Sequence, residues 1–172
     1  MIARMAKRRS KETEAPPVKE PRASRPHVPG YGIPASAKGM LPWSHADERL
    51  ARSRHYWIAT TSLDGRPHSV PVWGVWVEGA VCFGGGPETR WARNLKANPR
   101  VAVHLEAGDD VVILEGEVDR VESPDDPLVA KVQDAYQKKY KMPHPPPFWV
   151  LRPAKAFAWY KDLRSATRFE FR

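Results

Sequence analysis

Cysteine is nearly absent. Cys82 is the single one in 172 residues, so no internal disulfide can form, and a reducing compartment is compatible with the chain. Val81 and Phe83 flank it in an apolar stretch, where a buried, inert thiol is expected rather than a nucleophile. No apolar run reaches the roughly 18 residues of a membrane-spanning helix, and the first residues lack the apolar segment of a secretory signal. The expectation is a cytoplasmic protein without a membrane partner. The six histidines never fall at i, i+4 on one helix or beside paired cysteines, so no metal site is expected. GxSxG, Walker and strand-borne GxGxxG signatures are missing, and no internal repeat occurs. With no evident nucleophile or proton relay, an enzyme built on this chain depends on a cofactor for its chemistry.

What is abundant is positive charge, and it is unevenly spread. Residues 1–26 carry eight Lys/Arg against three Glu, while the rest of the chain holds 20 basic and 17 acidic residues. The net +8 is thus largely a property of one end, which weighs against a nucleic-acid-binding domain. Residues 1–26 are polar and proline-bearing and are expected to form a disordered basic leader. Residues 27–43 add Tyr31, Ile33, Met40 and Leu41 to Pro and Gly and read as an irregular arm. The domain is expected over 44–172.

That domain is mainly β. Ser44 can cap a helix running to about Ser53. Strands are expected at 55–62, 68–77, 80–84, 100–106, 111–121, 148–160 and 167–171, several joined by tight turns such as Asp64-Gly65 and Glu78-Gly79. Pro71 and Gly74 inside the second strand point to an edge, a bulge or a ligand-facing segment. Short helices are expected at 88–97 and from Leu128 to about Lys141. Antiparallel strands with a few small helices describe a compact barrel of Greek-key type.

The stretch Val81 to Leu105 carries the chemistry. Gly84, Gly85 and Gly86 allow close backbone approach. Pro87 suits a first helical turn, and Thr89 and Arg90 put a hydroxyl and a guanidinium at the positive end of a helix dipole, an arrangement able to hold a phosphate. A capped surface helix joining two strands reads the same residues equally well. Trp73 and Trp76 lie on opposite faces of one strand, so at most one of them faces a bound ring.

IATTSLDGRPHSVPVWGVWVEG followed by PETRWARNLKANPRVAVHLE closely resembles the split β-barrel family of pyridoxamine 5′-phosphate oxidase-like flavin and deazaflavin oxidoreductases, in the branch rich in users of coenzyme F420. The resemblance covers residues 44–122 well and extends to 171. It implies a homodimer with two cofactor sites at the subunit interface, and an oxidoreductase passing hydride from F420 to a small organic acceptor. FMN as a flavoprotein's or flavin reductase's cofactor is the alternative, and a non-catalytic cofactor-binding protein a third. Carried over, Pro71, Val72 and Trp73 lie beside the ring, and Gly84, Gly85, Thr89, Arg90, Arg93 and Asn94 on the phosphate side. No catalytic side chain is assigned. Trp91 stands where family members often have Lys, and His68 and Trp73 replace the flavin-holding Arg and Lys of the vitamin B6 oxidases, which argues against pyridoxamine phosphate as substrate.

Overall fold

A computed structural model describes residues 20–171, and most of the expected basic leader lies outside the described residues. The elements run β1 (Arg22–Ser24), α1 (Trp43–Arg52), β2 (His55–Thr61), β3 (Pro67–Val77), β4 (Ala80–Phe83), α2 (Arg90–Ala97), β5 (Arg100–His104), β6 (Asp110–Val121), α3 (Pro127–Tyr140), β7 (Phe148–Tyr160) and β8 (Asp162–Glu170). Every pairing is antiparallel. Strands order as β7-β4-β3-β2-β5-β6, and β6 pairs again with β7, closing a six-stranded barrel. Closure removes most of the free edges that so small a sheet would otherwise expose.

The 13-residue β7 makes the closure possible. One edge pairs with β6 along its whole length. The other edge pairs with β4 through Trp149–Leu151, then with β8 from Lys155 onward. At Gly116, where the β6 register shifts, an added Cβ would come 2.9 Å from Leu151 Cδ1 and 3.0 Å from the Arg152 carbonyl, so the bulge requires a residue without a side chain.

Alternation along the strands divides the interior in two. Tyr56 and Ile58 of β2, Val81 and Phe83 of β4, and Leu114 of β6 fill the barrel beside Trp91 and Leu95 of α2. Val75, Ala80, Cys82 and Val150 point the opposite way and are covered by Leu128, Val132, Tyr136 and Tyr140 of α3. All four β4 residues are therefore buried, covered on both faces. Cys82 is inaccessible, and burial pushes its thiol up to about 12, so it is an inert core residue.

Several boundaries differ from expectation. The leader does not extend to residue 26: Arg22–Ser24 pairs with Arg168–Glu170 of β8. Arg25 then donates to the carbonyls of Ser36, Lys38, Arg164 and Ala166 at 2.7–2.9 Å, pinning the arm to β8. α1 begins one residue before Ser44, with Pro42 at its N-cap and no side-chain cap. β8 starts at Asp162 rather than Thr167, because Lys161 adopts a left-handed conformation (φ 63°) and turns the chain straight back. β3 lies inside the barrel, but β4 pairs only with Gly74–Val77, so Pro71 sits where one edge of β3 has no neighbour and its missing N–H is harmless.

Candidate functional site

The open stretch of β3, the end of β4, the loop into α2 and the segment following α3 enclose a cleft of about 360 Å3. Val72 and Trp73 form one side, Gly84, Gly85 and Thr89 the base, and Tyr136, Met142 and His144 the far wall. Its volume falls within the range of about 300–1,000 Å3 common to small-molecule sites.

Trp73 is 44 % exposed and held in place. Its ring stacks on Tyr140 at 4.6 Å and 6°, and the Arg54 guanidinium lies within 6 Å of both rings, at 5.9 and 5.5 Å. The Tyr136 hydroxyl donates to the Trp73 carbonyl at 3.1 Å. The Tyr140 oxygen lies 2.5 Å from the Arg54 carbonyl and 2.7 Å from that of Gly74, and accepts from the Gly74 amide at 2.9 Å. Beneath this stack, Lys139 Nζ donates to the carbonyls of Ser53 and Gly74 and to the Tyr56 hydroxyl at 2.8–3.3 Å. Desolvation draws the Lys139 ammonium down to about 8 and pushes the Tyr56 and Tyr136 hydroxyls well above their ordinary range. α3 thus fixes Trp73 before any ligand arrives.

The glycines serve packing as well as access. A Cβ on Gly84 would lie 2.3 Å from His144 Cε1, and one on Gly85 2.7 Å from Trp91 Cζ2. The loop therefore needs glycine because His144 and Trp91 rest against it. The His144 ring also lies 4.8 Å from Tyr136. Its Nδ1 sits 2.9 Å from the Pro145 carbonyl, a contact in which Nδ1–H donates, and the ring lines the cleft.

The expected phosphate-side residues do not form one group. α2 begins at Arg90, not Glu88, and Pro87 lies in the turn before it rather than in its first turn. Thr89 is the N-cap. Its hydroxyl donates to the Gly86 carbonyl at 2.9 Å and accepts from the Ala92 amide at 3.4 Å, which is the capped-helix reading of this segment. Arg90 is exposed and lines neither this cleft nor the next. Asn94 is 6 % exposed and donates to Thr60 Oγ1 at 3.0 Å, tying α2 to β2 rather than meeting a ligand. Arg93 lines a separate cleft on the other flank of α2. Trp91 is buried against Phe83 at 5.8 Å and also walls the first cleft. Pro71 is exposed on the outer face, outside the cleft, whereas Val72, Trp73, Gly84, Gly85 and Thr89 do converge.

Sequence reading missed Tyr136, Met142 and His144. Only the tertiary fold brings the proline-rich run after α3 over Gly84. No group of three or more His, Cys, Asp or Glu among the described residues is placed to hold a metal ion, and no helix among them is long and apolar enough to cross a membrane.

A closed antiparallel barrel with an aromatic cleft beside its open strand edge defines a split β-barrel protein. The pyridoxamine 5′-phosphate oxidase family profile matches residues 43–160, and the chain belongs to that family. Similar solved structures include the conserved hypothetical protein Rv2991 of Mycobacterium tuberculosis (22 % identity, TM-score 0.62, covering 75 % of this chain and 89 % of that one). A pyridoxamine 5′-phosphate oxidase-related, FMN-binding protein of Nostoc punctiforme aligns at 16 % identity and TM-score 0.53, over 75 % and 89 % of the two chains. The heme storage protein HutZ of Vibrio cholerae aligns at 17 % identity and TM-score 0.52, with the same coverage. These likenesses are of fold. No curated protein matches the chain.

Proposed function

We propose that the chain is an oxidoreductase that binds the tricyclic ring of F420, or alternatively of FMN, in the cleft beside Trp73. The supporting observation is the pre-fixed aromatic wall: Trp73 is braced from behind by Tyr140 and Arg54, and Tyr136 and Trp91 line the same space. Flat, rigid rings favour a flat, conjugated ligand and lose little side-chain entropy on binding it. The residues fit such a group: Trp73 and Val72 lie beside it, and Gly84 and Gly85 leave the base of the cleft free of side chains. When bound, the ring system supplies hydride transfer. The chain positions the ring and excludes water from one of its faces, and the His144 imidazole on the cleft wall is a polar group within the lining. A small organic acceptor shares the open side.

The same reading includes a homodimer in the cytoplasm. Outward residues of neighbouring strands align as Pro71, Trp57, His104 and Ile113 in one row and Ser69, Ala59, Ala102 and Glu115 in the next. Trp57 and His104 stack at 6.2 Å and 5°. A second copy of the chain is the occupant we assign to this face, since its mix of aromatic, small and polar residues can meet itself about a two-fold axis.

His144 favours a second reading, a non-catalytic binder of a ring-shaped cofactor. An imidazole whose Nδ1–H is satisfied by a carbonyl is the usual form of a histidine metal ligand, and Met142 lines the same wall. Titration of the protein with F420, FMN and heme, followed by tryptophan quenching, separates the readings. Saturable F420 or FMN binding supports the oxidoreductase; heme binding alone supports the storage reading; binding of none refutes both.

A further inference from the structure

Beside the ring cleft stands a cation that no acidic group neutralises. Arg54 lies between the end of α1 and the start of β2, and its backbone is fixed there because the Tyr140 hydroxyl reaches its carbonyl at 2.5 Å. The arginines before it are committed: Arg49 Nε lies 2.6 Å from Asp110 Oδ1, and Arg52 lies 3.9 Å from Glu48. The Arg54 side chain is exposed and has no hydrogen-bond or ion-pair partner among the described residues, so all five of its N–H donors are available.

Two rings set its position. The Trp73 and Tyr140 centroids are 4.6 Å apart, and the guanidinium carbon is 5.9 Å from the first and 5.5 Å from the second. Nearly equal distances put it at the flank of the stacked pair. The Trp73 face turned away from Tyr140 therefore stays uncovered by the guanidinium, in keeping with the 44 % exposure of that residue. Lys139 adds a second positive charge 5.9 Å from the Tyr140 centroid, but its three donors are spent on two carbonyls and the Tyr56 hydroxyl. Against these two cations the cleft lining holds no Asp or Glu. A planar guanidinium fork matches carboxylate oxygens two at a time, and an exposed indole beside it favours a flat body on the same molecule. Arg54 is absent from the cleft lining although Trp73, its neighbour, belongs to it. The cation thus addresses what lies at the mouth of the cleft, not what lies on the glycine base. Met142, 49 % exposed, is the other large apolar side chain that is both exposed and part of the lining.

We infer that Arg54 determines the specificity of the acceptor subsite: the acceptor is a conjugated carboxylic acid whose flat body lies against Trp73 and Met142 and whose carboxylate takes the Arg54 fork. The inference rests on the ring-binding reading and names the class of molecule that shares the cleft with the ring. The carboxylate is a handle and takes no part in the electron transfer.

trans-Cinnamate and trans-cinnamamide share size, shape and conjugation and differ in charge, so their affinities for three proteins form the test: wild type, Arg54→Gln and Arg52→Gln. Each protein is titrated alone and again when saturated with whichever of FMN and F420 it binds, and the Trp73 indole resonance is followed. Wild type should bind cinnamate about fivefold more tightly than the amide, the scale of one partly exposed charged contact. Arg54→Gln should lose that preference while keeping its affinity for the amide, which also reports an intact cleft. Arg52→Gln removes the same charge two residues away and should retain the preference. A wild type without the preference in either state, a preference that survives Arg54→Gln, or one that Arg52→Gln abolishes overturns the inference. An Arg54-dependent preference in a protein that binds neither FMN nor F420 supports the anion contact and removes the ring reading. Saturable ring binding with no preference for the carboxylate removes this inference alone.

Discussion

Gly84, Gly85 and Gly86 are three consecutive glycines whose replacement by alanine should have three different outcomes. At Gly85 a methyl group would come 2.7 Å from Trp91 Cζ2, and Trp91 cannot yield, being 6 % exposed and packed on Phe83. Overpacking of this kind costs about 1–3 kcal/mol, which for a chain of this size lowers Tm by roughly 2–12 °C. At Gly84 the methyl would lie 2.3 Å from His144 Cε1, the far end of a half-buried side chain that can swing away. Gly84→Ala should therefore destabilise less than Gly85→Ala and instead displace His144 from the cleft wall. At Gly86 the nearest atom is Thr89 Cγ2 at 3.8 Å and φ is not positive, so the alanine fits. Restricting the unfolded chain there should leave stability unchanged or raise it by about 0.4–1 kcal/mol. Urea unfolding of the three variants provides the ranking. A neutral Gly85→Ala, or a Gly86→Ala worse than Gly85→Ala, would refute the packing argument for this loop.

Arg25→Ala removes four carbonyl contacts of a charged donor, each worth about 1.5–3 kcal/mol where buried and less where exposed as here; a total loss of about 2 kcal/mol with faster proteolysis in the arm is expected, and an arm no more susceptible than in wild type contradicts its pinning to β8. Lys139 has a folded pKa of about 8, below its unfolded value, so between pH 8 and the unfolded pKa the unfolded chain binds more protons and stability rises with pH. Measured against Lys139→Met, wild type should gain stability from pH 8 to 10; a difference that is flat over that window contradicts the desolvation of the ammonium. Trp57→Lys should convert a dimer to a monomer in sedimentation velocity, while a wild-type chain that is already monomeric removes the dimer proposal.

The barrel was legible because its signals are local. Alternating apolar residues, the Asp64-Gly65 and Glu78-Gly79 turns and the bounds of β7 all follow from short-range patterns, and the order of motifs pointed to the family. The pieces that were missed depend on distant partners. β1 is three residues long and exists because the β8 edge is there to receive it. Asn94 looked like a ligand donor in a motif, yet its amide faces Thr60, 34 residues earlier in the chain. Arg93 and Arg120 line one cleft although 27 residues separate them, which no sequence spacing announces. The tyrosines of α3 show as an apolar helix face, but their role in bracing Trp73 appears only when α3 is laid against β3.

Seven tryptophans give the central claim its most direct test. Indole N–H resonances of the protein are followed by TROSY NMR during titration with F420 and with FMN. Trp73 and Trp91, which line the ring cleft, should shift in a saturable way, while Trp43 and Trp76 stay still. Shifts confined to Trp43, Trp57, Trp76 and Trp159, or no shift with either ligand, would contradict a ring-binding site beside Trp73.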